Sequence, residues 1–270
     1  MTTGSRWRTV VARWLAVAAL WPTLGAGPAA AQPADAPGQA LETAPPASPS
    51  TPPPASQEAA EPGPGSPNDP LEPMNRAIFT VNSVLDEYLV RPLAIGYDRF
   101  TPELLRLMVG NFLGNLADPY FGVNNLLQGK PVDAFSDFGR FLVNTTVGFL
   151  GIADPATDFG LVKHREDFGQ TLAVWGAPSG PFLVLPFFGP STIRDGIGLG
   201  VDLYAGIINR FDNVGFRNTV TGLGVVETRA RLLPTDRLLR EAFDPYLLVR
   251  DTYLQRRRNL IYDGNPPDED

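Results

Sequence analysis

Apolar side chains recur at helical spacing through most of residues 75–261, and the pattern is interrupted where proline or glycine falls. Over 75–90, Ile78, Val81, Leu85 and Leu89 predict a helix that breaks or kinks at Arg91-Pro92. Thr101-Pro102-Glu103 predicts the next start, with a hydroxyl cap, proline in the first turn and an acid behind it. That helix runs through Leu104, Leu107, Met108 and Phe112 towards Leu116. Asp118-Pro119 reads as a restart, and Gln128-Gly129-Lys130-Pro131 as a stop. Residues 132–149 then place Phe135, Phe138, Phe141, Leu142 and Phe149 along one side, with Asp133, Asp137 and Arg140 elsewhere. Such a stripe fits a packed core, or a helix lying in a lipid interface with its phenylalanines among acyl chains.

Residues 150–167 read as loop, ending in the charged run Lys163-His164-Arg165-Glu166-Asp167, which predicts an exposed segment. Ser191 or Thr192 can cap a helix running from Arg194 through Ile197 and Val201 to Tyr204. Gly196, Gly198 and Gly200 weaken it and do not share a helix face, so they permit bending or close approach. A helix over 220–233 ends at Pro234, and Thr235-Asp236 starts a last one that is interrupted near Asp244-Pro245. Leu239, Phe243, Tyr246, Val249 and Tyr253 supply its apolar stripe. Arg256-Arg257-Arg258 near its end fit either the helix dipole and solvent or anionic lipid headgroups. Only 181–188 resembles a strand, and its prolines exclude a central position in a sheet. The pattern predicts a mainly α-helical domain.

One stretch departs from this regularity. Residues 168–193 read FGQTLAVWGAPSGPFLVLPFFGPSTI and carry no charge. The length and apolarity match a membrane-crossing helix, but four prolines and three glycines between 176 and 190 rule one out. Irregular backbone in hydrocarbon is tolerated only when it is buried in protein or lines a cavity.

Composition bounds the rest. Arg6, Arg8 and Arg13, a short apolar run and Ala29-Ala30-Ala31 make residues 1–31 a cleavable secretory signal. Residues 32–67 are rich in Pro, Ala, Ser, Gly and Glu, and predict a disordered linker. Residues 68–262 are the predicted domain, and 263–270 an acidic tail. The chain has no cysteine, which excludes disulfides, thiolate metal sites and lipid attachment at cysteine. A net charge of −7 argues against a nucleic-acid partner. The single histidine, His164, would have to serve any serine triad, with Ser179 as partner, but Ser179 lies in APSGP rather than a nucleophile elbow. No nucleotide-binding, EF-hand or histidine-rich metal pattern occurs, so the sequence predicts no enzyme, cofactor or metal site.

Ordered motifs across the domain carry a resemblance. They are NDPLEPMNRAIF at 68–79, RPLAIGYDRF at 91–100, NFLGNLADPY at 111–120 and NNLLQGKP at 124–131. FGRFLVNTTVGFLGIAD at 138–154, EDFGQTLAVWGAPSGPFLVLPFFGPSTIRDGIG at 166–198, ETRARLLPTDRLL and DPYLLVRDTYLQRR continue it. The chain resembles the MlaA/VacJ family of outer-membrane phospholipid-transport proteins. The resemblance implies an all-α, ring-like bundle of amphipathic helices, with the irregular Pro/Gly-rich segment, seated in one leaflet of the outer membrane. It implies passive removal of mislocalised phospholipid from the outer leaflet through an amphipathic channel. A periplasmic lipid carrier and a trimeric porin are the implied partners. Many family members are lipoproteins; the lack of cysteine here leaves retention to the body of the domain or to a partner.

On that basis Trp175, Phe182, Leu183, Leu185, Phe187 and Phe188 are candidates for the wall or gate of a lipid channel, with ordinary buried packing as the competing reading. Arg194 and Asp195 are headgroup or ion-pair candidates. Phe135, Phe138, Phe141 and Phe149 are candidates for the membrane face. A structural, porin-associated protein that moves no lipid is the alternative function.

Overall fold

The computed structural model describes residues 69–267. The predicted signal, linker and last residues of the acidic tail lie outside the described residues. The described chain is all-α apart from one small β-hairpin.

Helix α1 (Glu72–Leu85) leads through a widened π turn (Asp86–Val90) into α2 (Arg91–Phe100). The chain therefore does not break at Pro92. Proline lacks the N–H of an α turn and its ring crowds the carbonyl four residues back; a π turn placed just before it relieves both. Asp86 in that turn accepts two bonds from Arg229, at 2.7 and 2.9 Å. Helix α3 (Glu103–Leu127) begins at the expected acid, but Pro102 rather than Thr101 holds the cap position, no side chain caps the helix, and it runs through Pro119. The expected restart at Asp118-Pro119 is absent because packing along the whole length of α3 outweighs one missing hydrogen bond.

That packing comes from α4 (Pro131–Thr146), joined to α3 by a tight turn around Gly129 at φ 78°. Contacts between Asn115 and Thr145, Asp118 and Arg140, and Asn125 and Asp137 give the antiparallel register. A one-turn helix α5 (Pro155–Asp158) and an extended run over 161–167 lead to α6 (Phe168–Val174). Strands β1 (Phe182–Leu185) and β2 (Gly189–Thr192) pair antiparallel, Phe182 opposite Thr192 and Leu185 opposite Gly189. The lone strand expected over 181–188 is thus half of a hairpin, in which neither strand is central.

Thr192 then caps α7 (Ile193–Ala205), its side chain accepting from the Asp195 amide at 3.2 Å. Helices α8 (Val214–Leu232), α9 (Asp236–Glu241) and α10 (Pro245–Ile261) complete the chain, with the expected interruption at Asp244-Pro245. Of the three α7 glycines, Gly198 has the close approach: a Cβ there would lie 2.4 Å from the Gly169 backbone nitrogen, so α6 and α7 meet backbone to backbone.

The apolar core is small. Phe182, Val184 and Tyr246 form it, with Ile78, Phe79, Leu247, Tyr253 and Leu254 around them. Phe243 lies outside the stripe expected for the last helices and is fully exposed.

Candidate functional site

The α3–α4 hairpin has its polarity reversed. On α3 the buried positions are Asn115, Asp118, Gly122, Asn124 and Asn125; on α4 they are Ala134, Asp137, Arg140 and Asn144. The exposed positions on the same helices include Leu104, Leu107, Leu126, Val132, Phe135 and Leu142. Among the described residues only eight hydrophobic residues are buried, four of them alanines, against nineteen polar or charged ones. A soluble domain rarely leaves large contiguous apolar patches on its surface. In lipid the preference inverts: apolar side chains face acyl chains, and polar ones turn inward to find partners.

The inward side chains are paired. Asn125 donates to Asp137 at 2.9 Å, and Asp137 also accepts from the His164 backbone amide at 2.9 Å. Arg140 grips Asp154 with two bonds of 2.7 and 2.8 Å and donates to the Leu161 carbonyl. Lys163 reaches the fully buried Asp118 at 2.7 Å. Glu166 accepts from Gln128 at 2.8 Å. The run 163–167 is therefore not an exposed charged loop: all but Arg165 are buried or half-buried, and Asp137 and Asn125 bond the His164 amide and carbonyl. Burial pushes the Asp137 carboxyl up to about 7, against the opposing bond from the His164 amide.

A second buried ionic junction ties α6, α7 and α10 together. Arg257 on α10 clasps Asp167, the cap of α6, and reaches Asp195 at 3.0 Å. Asp195 also accepts from Arg194 at 3.0 Å and from the Tyr253 hydroxyl at 2.8 Å. Burial works against the Asp195 carboxylate, but Arg257 and Arg194 outweigh it and hold its pKa below the usual range. Asp202, one helix turn beyond Gly198, accepts from Tyr120 and from the Phe168 amide. Burial and the nearby Asp167 charge push its carboxyl up to about 7.

The β-hairpin is held by two asparagines of α1, seven residues apart and so on one face. Asn75 donates to the Phe182 carbonyl at 3.0 Å and accepts from the Val184 amide at 2.9 Å. Asn82 donates to the Leu185 carbonyl and accepts from the Phe187 amide, both at 2.9 Å. Each amide side chain thus acts as a piece of neighbouring strand.

The residues singled out in the sequence divide by environment. Phe182 is only 2% exposed, with the edge-on ring of Tyr246 and the tilted ring of Tyr253 about it. It is core, with no free face for an acyl chain. Phe187 sits at the hairpin tip with φ 68° and is 47% exposed; Leu183, Leu185 and Phe188 are half-buried. Trp175 is exposed on its ring while its indole N–H donates to the Leu127 carbonyl at the end of α3. Arg194 and Asp195 take the ion-pair alternative, and Arg257 joins them rather than facing solvent or headgroups. Phe135 and Phe149 are exposed, at 72% and 78%, while Phe138 and Phe141 are half-buried. The ring nitrogens of His164 face Asp133 at 3.5 Å and Asp137 at 3.9 Å.

Sequence reasoning missed Asn115, Asp118, Asn125, Arg140 and Lys163. The signal was present, since 115, 118, 122 and 125 recur at helical spacing, but a polar stripe is ordinarily assigned to water. Among the described residues no helix is long and apolar enough to cross a membrane, and no cluster of side chains could hold a metal ion.

A family model described as MlaA lipoprotein matches residues 67–260. The intermembrane phospholipid transport system lipoprotein MlaA of Escherichia coli strain K12 is 39% identical over 204 residues, covering 73% of this chain and 80% of that protein. The protein of the same description from Haemophilus influenzae is 33% identical over 202 residues, covering 73% and 80%. An uncharacterized protein of Rickettsia typhi is 35% identical over 195 residues, covering 72% and 78%. Among solved structures, a chain determined in connection with maintenance of bacterial outer membrane lipid asymmetry superposes with a TM-score of 0.64 at 35% identity, covering 73% of this chain and 99% of that one.

Proposed function

The chain belongs to the MlaA family, and from that premise we propose that it transports phospholipid passively, taking mislocalised lipid from the outer leaflet of the outer membrane to a periplasmic carrier. The observation that carries this reading is the reversed polarity of the α3–α4 hairpin, with amides and charges inside and leucines and phenylalanines outside. Such a body sits in hydrocarbon while offering a polar interior. A phospholipid with two chains carries roughly 30 methylenes, at about 0.8 kcal/mol each on exposure to water. Moving it bare through water would cost on the order of 20 kcal/mol, so a transporter must cover the chains and give the headgroup a polar route. No nucleotide-binding motif occurs in the sequence, which supports a passive conduit driven by lipid gradients or by the carrier.

A seat in one leaflet accords with a described chain that lacks a spanning helix. Phe135 and Phe149 make its outer face, with Phe138 and Phe141 behind them. Trp175, Leu183, Leu185, Phe187 and Phe188 form part of the channel wall or gate, the hairpin held on course by Asn75 and Asn82 and Trp175 by the Leu127 carbonyl. A trimeric porin and a soluble periplasmic lipid carrier are the partners. The apolar exterior of α3 and α4 offers a surface for retention in the leaflet.

The test is surface labelling of phosphatidylethanolamine with an impermeant amine reagent in the native bacterium. Deleting the gene should raise outer-leaflet labelling, and the wild-type chain should restore it. Unchanged labelling would overturn the proposal.

A further inference from the structure

The described chain has a cleft of about 420 Å³ between α4, α5 and the backbone of 160–163. Arg140, Asp154, Thr157 and Lys163 supply its polar lining. Arg140 is almost wholly buried, yet its Nε has no hydrogen-bond partner, the nearest carboxylate oxygen being Asp118 Oδ2 at 3.9 Å. The charges balance: Arg140 and Lys163 stand against Asp118 and Asp154. Burial opposes ionisation of Asp154, but Thr157, Asn144 and Arg140 bond to it and keep its pKa below the usual range, so the cleft retains an anion as well as cations.

The two segments that lead into this cleft are apolar on the outside. Phe149, Leu150, Phe159 and Val162 are all well exposed. Phe149, Leu150 and Gly151 have φ of 52°, 62° and 87°, three left-handed residues in succession. For the two non-glycine residues that conformation costs about 1–3 kcal/mol each. It persists because the loop is tied down: the Leu150 amide donates to the Thr145 carbonyl, Gly151 to Asn144 and Ala153 to Gly148. A Cβ on Gly151 would lie 2.5 Å from the Asn115 side chain. The loop is thus a stiff mount that holds Phe149 and Leu150 outward.

We propose that this cleft takes the zwitterionic headgroup of a phospholipid, with the phosphate toward Lys163 and Arg140, the ammonium toward Asp154, and the acyl chains along Phe149, Leu150, Phe159 and Val162. The inference rests on the lipid-handling function proposed above and adds a headgroup class to it. A purely anionic headgroup would leave Asp154 opposed by like charge, whereas a headgroup carrying both signs matches both halves of the cleft.

The test uses the full chain in vesicles of phosphatidylethanolamine and phosphatidylglycerol, with a photo-crosslinking residue at Val162 and a control at the fully exposed Phe243. Crosslinks at 162 should favour phosphatidylethanolamine about tenfold over its share of the vesicle, a difference of 1.4 kcal/mol. Crosslinks at 243 should follow vesicle composition. Lys163→Met should abolish the preference. Because that change strands Asp118, Gly114→Ala provides a second route: its Cβ would come within 2.9 Å of Lys163 Nζ and displace it while keeping both charges. Crosslinks at 162 that follow vesicle composition, or a preference that survives Gly114→Ala, would overturn the headgroup site. Cell-surface labelling reports the transport function separately, so the two readings fail independently.

Discussion

Asn82 on α1 closes a two-bond ring with the tip of the β-hairpin, donating to the Leu185 carbonyl and accepting from the Phe187 amide at 2.9 Å each. A side chain two helix turns from Asn75 thereby completes a strand edge that no third strand covers. Asn82→Leu leaves a carbonyl and an amide without partners and should cost about 1–3 kcal/mol. Denaturant unfolding measures the loss, and amide exchange at Phe187 should quicken more than at core amides.

Phe182 and Phe187 should respond differently to the same change, although the sequence alone puts them in one class. Phe182→Glu places a charge in the Tyr246–Tyr253 cluster and should unfold the domain or cost at least about 3–5 kcal/mol. Phe187→Glu lies at an exposed tip and should leave the unfolding midpoint nearly unchanged while impairing lipid transfer. Circular dichroism and a reconstituted transfer assay, run on both variants, check the pair.

Arg257 is the central cation of the α6–α7–α10 junction. Arg257→Met leaves Asp167 and Asp195 buried with less compensation, and should cost about 3–5 kcal/mol. Arg237→Ala removes an exposed ion pair with Glu241 and should cost no more than about 1 kcal/mol. Thermal unfolding of the two variants compares them directly.

Asp137 sets a pH dependence. Its folded pKa of about 7 stands above the ordinary 3.8, so the folded state holds a proton that the unfolded chain releases. Its contribution is full below pH 4 and is lost as pH rises through 7. Asp202 acts in the same direction over the same window. Asp195 and Asp154, with lowered pKa values, act oppositely and only below about pH 4, as they protonate. Tm should therefore fall between pH 5 and pH 8, and Asp137→Asn should flatten that slope by on the order of 1–2 kcal/mol after screening.

Gly198 should not tolerate alanine. A Cβ there meets the Gly169 nitrogen at 2.4 Å and its Cα at 2.6 Å, both backbone atoms that cannot swing aside. Gly198→Ala should cost about 1–3 kcal/mol or more. Gly200→Ala, where a Cβ meets open space, should stabilise the helix slightly. Melting curves of the two glycine variants, measured side by side, settle the contrast.

Local chemistry was legible in the sequence wherever a few residues decide the outcome. A hydroxyl cap at Ser191 or Thr192, the Gln128–Lys130 stop, the interruption at Asp244-Pro245 and the failure of 168–193 to be a spanning helix all follow from side chains and prolines acting within one turn. Periodicity also determined that α4 has an apolar and a polar side. It could not determine which side faces in, because that sign belongs to the surrounding medium rather than to the spacing. Tertiary structure decided it by setting Asn115, Asp118 and Asn125 opposite Thr145, Arg140 and Asp137, and by threading Lys163 and His164 between them. The same long-range pairing carried α3 across Pro119, drew Arg257 into the interior and put Phe182 in the core, since each depends on partners 20 to more than 100 residues away that no local pattern records.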